Sequence, residues 1–467
     1  MTMTKQMPKG FVLALTLAFL LLFPASRISL GDEGMWTFDN PPLSQLKERY
    51  GFTPTQEWLD HIRLASLRFM DGGSGSFISP KGLILTNHHV AMGQLQKMST
   101  AERNYVATGF YARTQEEEIK CPDLEINVLV SMEDVTARVK AAVKEGMTDA
   151  EALKARRAEM ARIEKESLDK TGLRSNVVDL YHGGEYWLYR YKKYIDVRLV
   201  MAPERQAAYF GGDYDNFTYP RYDLDMAFFR AYENEKPVES QHYLSWNPQG
   251  LSQGDLVFVS GNPGSTDRLY TYARLEYQRD VYYPLRLKFI DRYLEVLREY
   301  AARGPEAERR ALGRIFGLEN SKKALTGEYQ GLLDEELMSR RKKADEDFRQ
   351  SVASNPSWQK AYGDAWDAVA HVLDKSRQDF RQRFYRRLIG SYTGIAGTIV
   401  RYVAEVKKPD ADRLPGYHDS ELEELKFNLF SPAPIYKDME EVLLTASLKW
   451  GLEELGPDDE FFKLALA

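Results

Sequence analysis

Residues 72–90 read GGSGSFISPKGLILTNHHV, and the parsing of this stretch decides the fold. Phe77-Ile78 and Leu83-Ile84-Leu85 are short apolar, partly β-branched runs, and Pro80-Lys81-Gly82 between them has the residues of a tight turn. The stretch therefore predicts a two-stranded hairpin. Its second strand runs directly into Thr86-Asn87-His88-His89-Val90. A strand end places a side chain rigidly, and an imidazole so placed is a candidate general base. By residue type alone, the tandem histidine is equally a packed or surface pair, or half of a metal site. No companion cysteine or HxxxH spacing supports the metal.

Moving outward, YWLYRYKKYIDVRLV (186–200) sets Tyr189, Tyr191, Ile195, Val197 and Leu199 largely in alternation with Arg190, Lys192, Asp196 and Arg198, which predicts half-buried antiparallel strands. MAFFRAY (226–232) and DLVFVSG (255–261) predict further strands. Residues 36–70, broken by Pro41-Pro42 and Pro54, predict a short helical approach to the core. Between about 132 and 172, Val135, Val139, Ala142, Val143, Met147, Ala150, Leu153 and Met160 recur at spacings of three and four, so an inserted helical hairpin with a solvated charged face is expected. From about Thr271 the β texture stops. Leu285, Phe289, Tyr293, Val296, Leu297 and Tyr300, then Tyr362, Trp366, Val369, Ala370 and Leu373, each mark one helix face. The class is mixed β and α, with a β-rich region over 32–270 and a helical domain over 271–467.

The 467 residues suffice for more than one core. With 63 basic against 69 acidic residues the net charge is −6, which offers no bulk attraction for nucleic acid or anionic lipid. Cys121 stands alone, so neither an intramolecular disulfide nor a multi-cysteine metal site can form. Lys5 and Lys9 precede the apolar run Phe11 to Phe23, which has the length of a signal h-region and is short for a membrane span. We expect residues 1–31 to be a signal peptide cleaved between Ala25 and Gly31, an uncleaved anchor being the alternative. An exported, acidic, disulfide-free chain suits a bacterial periplasm or secretion, with no stable membrane association after cleavage. At the other end, DDEFFKLALA carries an amphipathic pattern to the terminus without a stop signal, so the helical domain is expected to be truncated.

A second chemical cluster is YFGGDYDNFTYPRYDLDMAFFR (209–230), with Asp213, Asp215, Asp223 and Asp225 around a glycine pair and an Asn-Phe-Thr-Tyr-Pro turn. Asp225 immediately precedes an apolar strand, where a buried carboxylate could orient a histidine by accepting its N–H. Four carboxylates so close would also suit a calcium loop, although the closing glutamate of an EF-hand is absent.

These segments together carry a resemblance. The run from Gly73 to Val90 is similar to the histidine segment of chymotrypsin-like serine peptidases, the HtrA group included. The double histidine, the FGGDxDNxxxPR segment and the start Asp32-Glu33-Gly34-Met35-Trp36 resemble a narrower group, serine peptidase family 46 of the dipeptidyl-peptidase 7/11 type, from Asp32 to the end. The resemblance implies a chymotrypsin-like β-barrel domain, its second barrel incomplete, followed by an all-helical cap domain. It implies that His89 is the catalytic histidine, with His88 a structural neighbour, and Asp225 the catalytic aspartate. Asn216, Phe217 and Asn320 would bind the N-terminal amine of the substrate. Oligopeptides would lose N-terminal dipeptides through an acyl-enzyme, without metal or organic cofactor, and a homodimer is implied.

One departure stands out. The family's nucleophilic serine lies in a Gly-Asn-Ser-Gly-Ser-Pro segment that this sequence lacks; Gly261-Asn262-Pro263-Gly264-Ser265 puts proline at that place, and Ser265 reads as structural. The chain as written is therefore expected to have negligible activity. Two alternatives stay open: an HtrA-like serine endopeptidase, and a non-catalytic peptide-binding remnant.

Overall fold

The computed structural model describes residues 34–70, 72–263 and 270–466. The expected signal peptide 1–31, Asp32-Glu33 and Ser265 lie outside the described residues. The chain divides into two units. The smaller combines the described part of Met1–Gln56 with Asn247–Val259. It holds the helix Leu43–Tyr50, and Phe52 packs on Phe258 with ring centroids 5.5 Å apart. The strand expected at 255–261 does not form: a turn at Ser252 to Asp255 leads into chain without regular secondary structure. A strand needs a ladder partner for its N–H and C=O groups, and no described strand pairs with this segment.

The larger unit, Glu57–Trp246 with Ser260–Ala467, contains the sheet and the helices from Tyr272 on. The hairpin at 72–90 forms as expected, as β2 (Ser74–Phe77) and β3 (Leu83–Thr86). The strand before it, β1 (Ser66–Phe69), corrects the helical reading of 36–70. The helix Gln56–Ala65 stops there because buried Leu67 and Phe69 alternate with Arg68, a period of two that fits between two neighbouring strands. The remaining strands are β4 (Phe110–Tyr111), β5 (Ile119–Lys120), β6 (Ile126–Asp134), β7 (Arg174–Leu180), β8 (Glu185–Tyr194), β9 (Asp196–Ala202), β10 (Ala227–Glu233) and β11 (Lys236–Pro237).

All pairings are antiparallel, and the sheet runs β4-β9-β10-β3-β2-β1-β6-β8-β7, with β5 added to β9 and β11 to β10. β9 and β8 are separated across the sheet by β10, β3, β2, β1 and β6, yet in sequence only Ile195 lies between them. The stretch of that path from β9 to β8 begins and ends on two halves of one bent strand, so it must curl round on itself, which makes a barrel. Ile195 is the bend, and at 46% exposure it departs from the buried alternation expected of it: a residue outside both ladders resets the parity, so Tyr194 and Val197 are the buried positions on either side. Leu67, Phe77, Ile84, Ile126, Leu199 and Phe229 fill the interior.

The insertion begins later than the expected 132, because β6 continues to Asp134 paired with β8. Its helices are Thr136–Ala141 and Asp149–Thr171, the second opened by a capping box between Thr148 and Glu151. Beyond Tyr272 the described residues form helices and the loops that connect them, without a strand. Helices Tyr283–Ala301, Pro305–Leu333 and Lys437–Leu455 share a core of Leu297, Tyr300, Ala311, Met439 and Leu443. Pro305 opens its helix at a position where a missing N–H costs nothing. That helix also joins the barrel. Phe316 belongs to the barrel core, and Arg309 donates to Ser99 O at 2.9 Å at the end of the helix His88–Met98. Among the described residues no helix is long and apolar enough to cross a membrane.

Candidate active site

Strand register brings His89 and Asp225 together. Thr86, the last residue of β3, pairs with Ala227, the first of β10. Stepping forward from Thr86 and backward from Ala227 therefore sets the segment 87–89 beside Asp225. Asn87 is extended and the helix His88–Met98 starts directly after it, turning His88 into the core and leaving His89 partly exposed. His89 Nδ1 lies 2.7 Å from Asp225 Oδ2. The backbone N–H of His89 donates to Asp225 Oδ1 at 2.9 Å, so one carboxylate takes both an orphan N–H at a helix start and the ring. Asn87 Nδ2 donates to the backbone oxygen and to Oδ2 of Asp225, each at 3.1 Å, and fixes the acid from the other side. On the imidazole face, Phe210 stacks with centroids 4.2 Å apart and planes at 21°.

Burial pushes the Asp225 carboxyl up, but the hydrogen bonds from the ring and backbone of His89 outweigh it and hold the acid below the usual carboxylate range. His88 is driven down by burial, which the Asp225 charge only partly offsets, so its ring is neutral.

The loop 209–225 carries the second group. Asn216 is buried; its Nδ2 donates to Asn320 Oδ1 at 2.9 Å, and its Oδ1 accepts from Arg221 Nη1 at 3.1 Å. Arg221 is the cation amid the aspartates, 2.7 Å from Asp213 and 2.9 Å from Asp223. A calcium loop would need that central place for the metal. Among the described residues no group of three or more His, Cys, Asp or Glu side chains could hold a metal ion. Burial raises Asp223, Arg221 pulls it back, and the neighbouring aspartates push it up again, leaving it above the usual range.

The loop approaches the helix Pro305–Leu333 closely, and the glycine pair permits this. Gly211 and Gly212 both have positive φ; a Cβ on Gly211 would stand 2.6 Å from Phe316 O, and one on Gly212 would strike the Glu319 carboxylate. Lys323 from the same helix donates to the backbone oxygens of Asp213 and Tyr214, at 3.0 and 2.6 Å. Phe217 sits in the left-handed region with φ 60, and its side chain is 63% exposed. A cavity of about 420 Å³ is lined by His89, Phe210, Phe316 and Asn320 among others.

Of the five residues singled out from the sequence, His89 and Asp225 touch, Asn216 and Asn320 touch, His89 and Asn320 share the cavity, and Phe217 stands outside it. Sequence reasoning missed Asn87, Phe210, Arg221 and Lys323. Asn87 lies inside the quoted histidine motif, and Arg221 is the cation among the four aspartates, so both had a local signal. Phe210 and Lys323 had none, since their roles depend on how the loop is laid across the helix.

Comparison with known proteins gives a consistent picture. The family described as Peptidase S46 matches residues 31–467. Dipeptidyl-peptidase 7 of Capnocytophaga gingivalis is 27% identical over 418 residues, covering 85% of this chain and 58% of that protein. An Asp/Glu-specific dipeptidyl-peptidase of Shewanella putrefaciens is 28% identical, with 85% and 56% covered. The chain thus spans somewhat over half the length of these relatives. Among solved structures, Porphyromonas endodontalis DPP11 in complex with the dipeptide Arg-Asp superposes with a TM-score of 0.69 at 22% identity, covering 91% of this chain and 64% of that one.

Proposed function

The chain belongs to the Peptidase S46 family, and from that premise we propose that it carries the base and the amine-binding residues of a serine-type dipeptidyl-peptidase, an aminopeptidase that releases N-terminal dipeptides from oligopeptides. The observation that carries the reading is the 2.7 Å contact between His89 Nδ1 and Asp225. With its Nδ1 proton engaged by the carboxylate, His89 has the Nε2 lone pair available to take a proton from a serine hydroxyl. Asp225, ionised at neutral pH, then stabilises the imidazolium. Phe210 keeps the ring in plane, and His88 takes no part.

Asn320, which lines the cavity, and Asn216, hydrogen-bonded behind it, bind the free α-ammonium of the substrate. Each amide oxygen keeps a second lone pair after its contact within the cluster. Phe217 is the exposed aromatic beside them, which bound peptide would cover. Anchoring the amine fixes which peptide bond reaches His89: two extended residues span about 7 Å, so the second bond is presented. The paired asparagines speak against an HtrA-like endopeptidase, which needs no such anchor. The nucleophile is assigned to no residue of this chain, and in the serine peptidase precedent the serine is worth about 10⁶ in rate. Export to a bacterial periplasm rests on the apolar run in residues 1–31, and a homodimer on the family resemblance alone.

Equilibrium binding tests this reading. The chain is expected to bind a free-amine dipeptide, to lose the N-acetylated form, and to lose at least about tenfold in affinity for the free form with Asn216→Ala, the scale of an unpaired site group. Equal binding of the acetylated peptide would contradict it and favour an endopeptidase cleft.

A further inference from the structure

Two further imidazoles meet away from the catalytic pair. His61 Nδ1 and His242 Nδ1 lie 3.2 Å apart, with ring centroids 5.3 Å apart and planes inclined at 58°, so ring nitrogens rather than π faces make the contact. His61 belongs to the helix Gln56–Ala65 and His242 to the segment after β11, and both are half-buried. The segment around His242 bonds to Phe77 and Pro80, at the turn end of the β2–β3 hairpin, whereas His89 follows the opposite end of β3. Nothing in the proposed peptidase chemistry uses this pair.

Each ring is carried by backbone that is pinned independently of the contact. Beside His61, Ser66 Oγ donates to Ile62 O at 2.8 Å, and Arg63 donates to Leu129 O at 2.6 Å, which ties that helix turn to β6. On either side of His242, Ser240 N donates to Pro80 O at 2.9 Å and Leu244 N to Phe77 O at 2.8 Å. Ser240 Oγ also donates to His242 O at 2.6 Å. Ligands held in this way are preorganised.

Their separation has a chemical meaning. Imidazole nitrogens bind zinc at about 2.0–2.1 Å, so two on one ion stand about 2.9 Å apart at a right angle and about 3.3 Å apart at the tetrahedral angle. The observed 3.2 Å falls inside that interval, and it lies at the long limit for a hydrogen bond from N–H. A neutral imidazole keeps one ring proton. Neither Nε2 has a hydrogen-bond partner among the described residues, so both can carry that proton while both Nδ1 lone pairs face one ion. Glu57, one turn before His61, adds negative charge to the same helix face.

We propose that His61 and His242 form a two-point site for a first-row divalent transition ion, with water completing its coordination. Imidazole suits Zn²⁺, Ni²⁺ and Cu²⁺, whereas Mg²⁺ and Ca²⁺ take oxygen ligands. The bound ion clasps the helix Gln56–Ala65 to the segment after β11, and by binding only the folded chain it stabilises the fold.

The test is calorimetric titration of the 467-residue chain with Zn²⁺ in a non-chelating buffer at neutral pH, with Mg²⁺ as the control. The wild type is expected to bind one equivalent of Zn²⁺ and no Mg²⁺, and its melting temperature should rise with added Zn²⁺. His61→Gln and His242→Gln are each expected to weaken Zn²⁺ binding about a hundredfold, the order of advantage that a second linked contact gives, and to abolish the thermal shift. Ring ¹⁵N NMR of the wild type should show Zn²⁺ moving the Nδ1 resonances of His61 and His242, and it decides alone if a variant does not melt cooperatively. Absence of Zn²⁺ binding, unchanged affinity in a variant that melts normally, or Zn²⁺-dependent shifts confined to other histidines would overturn the inference. None of these outcomes bears on the reading of His89 and Asp225.

Discussion

Asp225 accepts hydrogen bonds from the backbone and the ring of the same residue, and this double use makes it the most consequential side chain at the site. Asp225→Ala removes a helix-start acceptor as well as the partner of the imidazole. A loss of about 1–2 kcal/mol in urea unfolding is expected, the range of an N-cap. Because its carboxyl is held below the usual range, the contribution is complete above the ordinary carboxylate value and is lost as pH falls through the lowered native value. The His89–Asp225 contact therefore persists through mildly acid solution. At this scale the sequence was legible where chemistry and register coincide: the histidine ends one strand, the acid precedes its ladder partner, and both are visible as motifs. Phe210 was not legible, because nothing local says that its ring turns onto His89.

Among the elements, the helix Asp149–Thr171 carries an acid in an unusual setting. Burial raises Glu164 to about 7, Glu421 and Asp410 add to the rise, and hydrogen bonds from Val177 N and Ser420 only partly oppose it. The unfolded chain ionises this group from about 4.5 upward while the native protein keeps it protonated to about 7, so the unfolded state sheds its proton first. Stability should fall as pH rises through that window, by about 3 kcal/mol at most. Glu164→Gln should flatten this slope and stabilise the protein at pH 8 relative to wild type; urea unfolding across pH checks it, and an unchanged slope would contradict it. The misread elements have opposite causes. Residues 66–69 followed a helix and were too short to show their own period, and residues 255–261 have strand composition but no partner. Composition proposes a strand, and only a neighbouring strand makes one.

For the molecule as a whole, one corner and one helix organise everything else. Ile195 joins β8 to β9 across the curled sheet, and the helix Pro305–Leu333 belongs at once to the barrel core through Phe316 and to the helical core through Ala311. Alternation along 186–200 predicted strands but not the corner, since a single out-of-register residue is invisible to periodicity. That the helical part begins near residue 271 was legible in the change of period, whereas the way its longest helix brings Asn320 to Asn216 follows only from tertiary packing. The account stands on the proton between His89 and Asp225. Proton NMR of the chain with ring-labelled ¹⁵N-histidine observes it directly. A downfield Nδ1–H resonance assigned to His89, present in the wild type and absent in Asp225→Ala, is the predicted result. A wild type in which His89 carries its proton on Nε2, with no downfield Nδ1–H signal, would contradict the account.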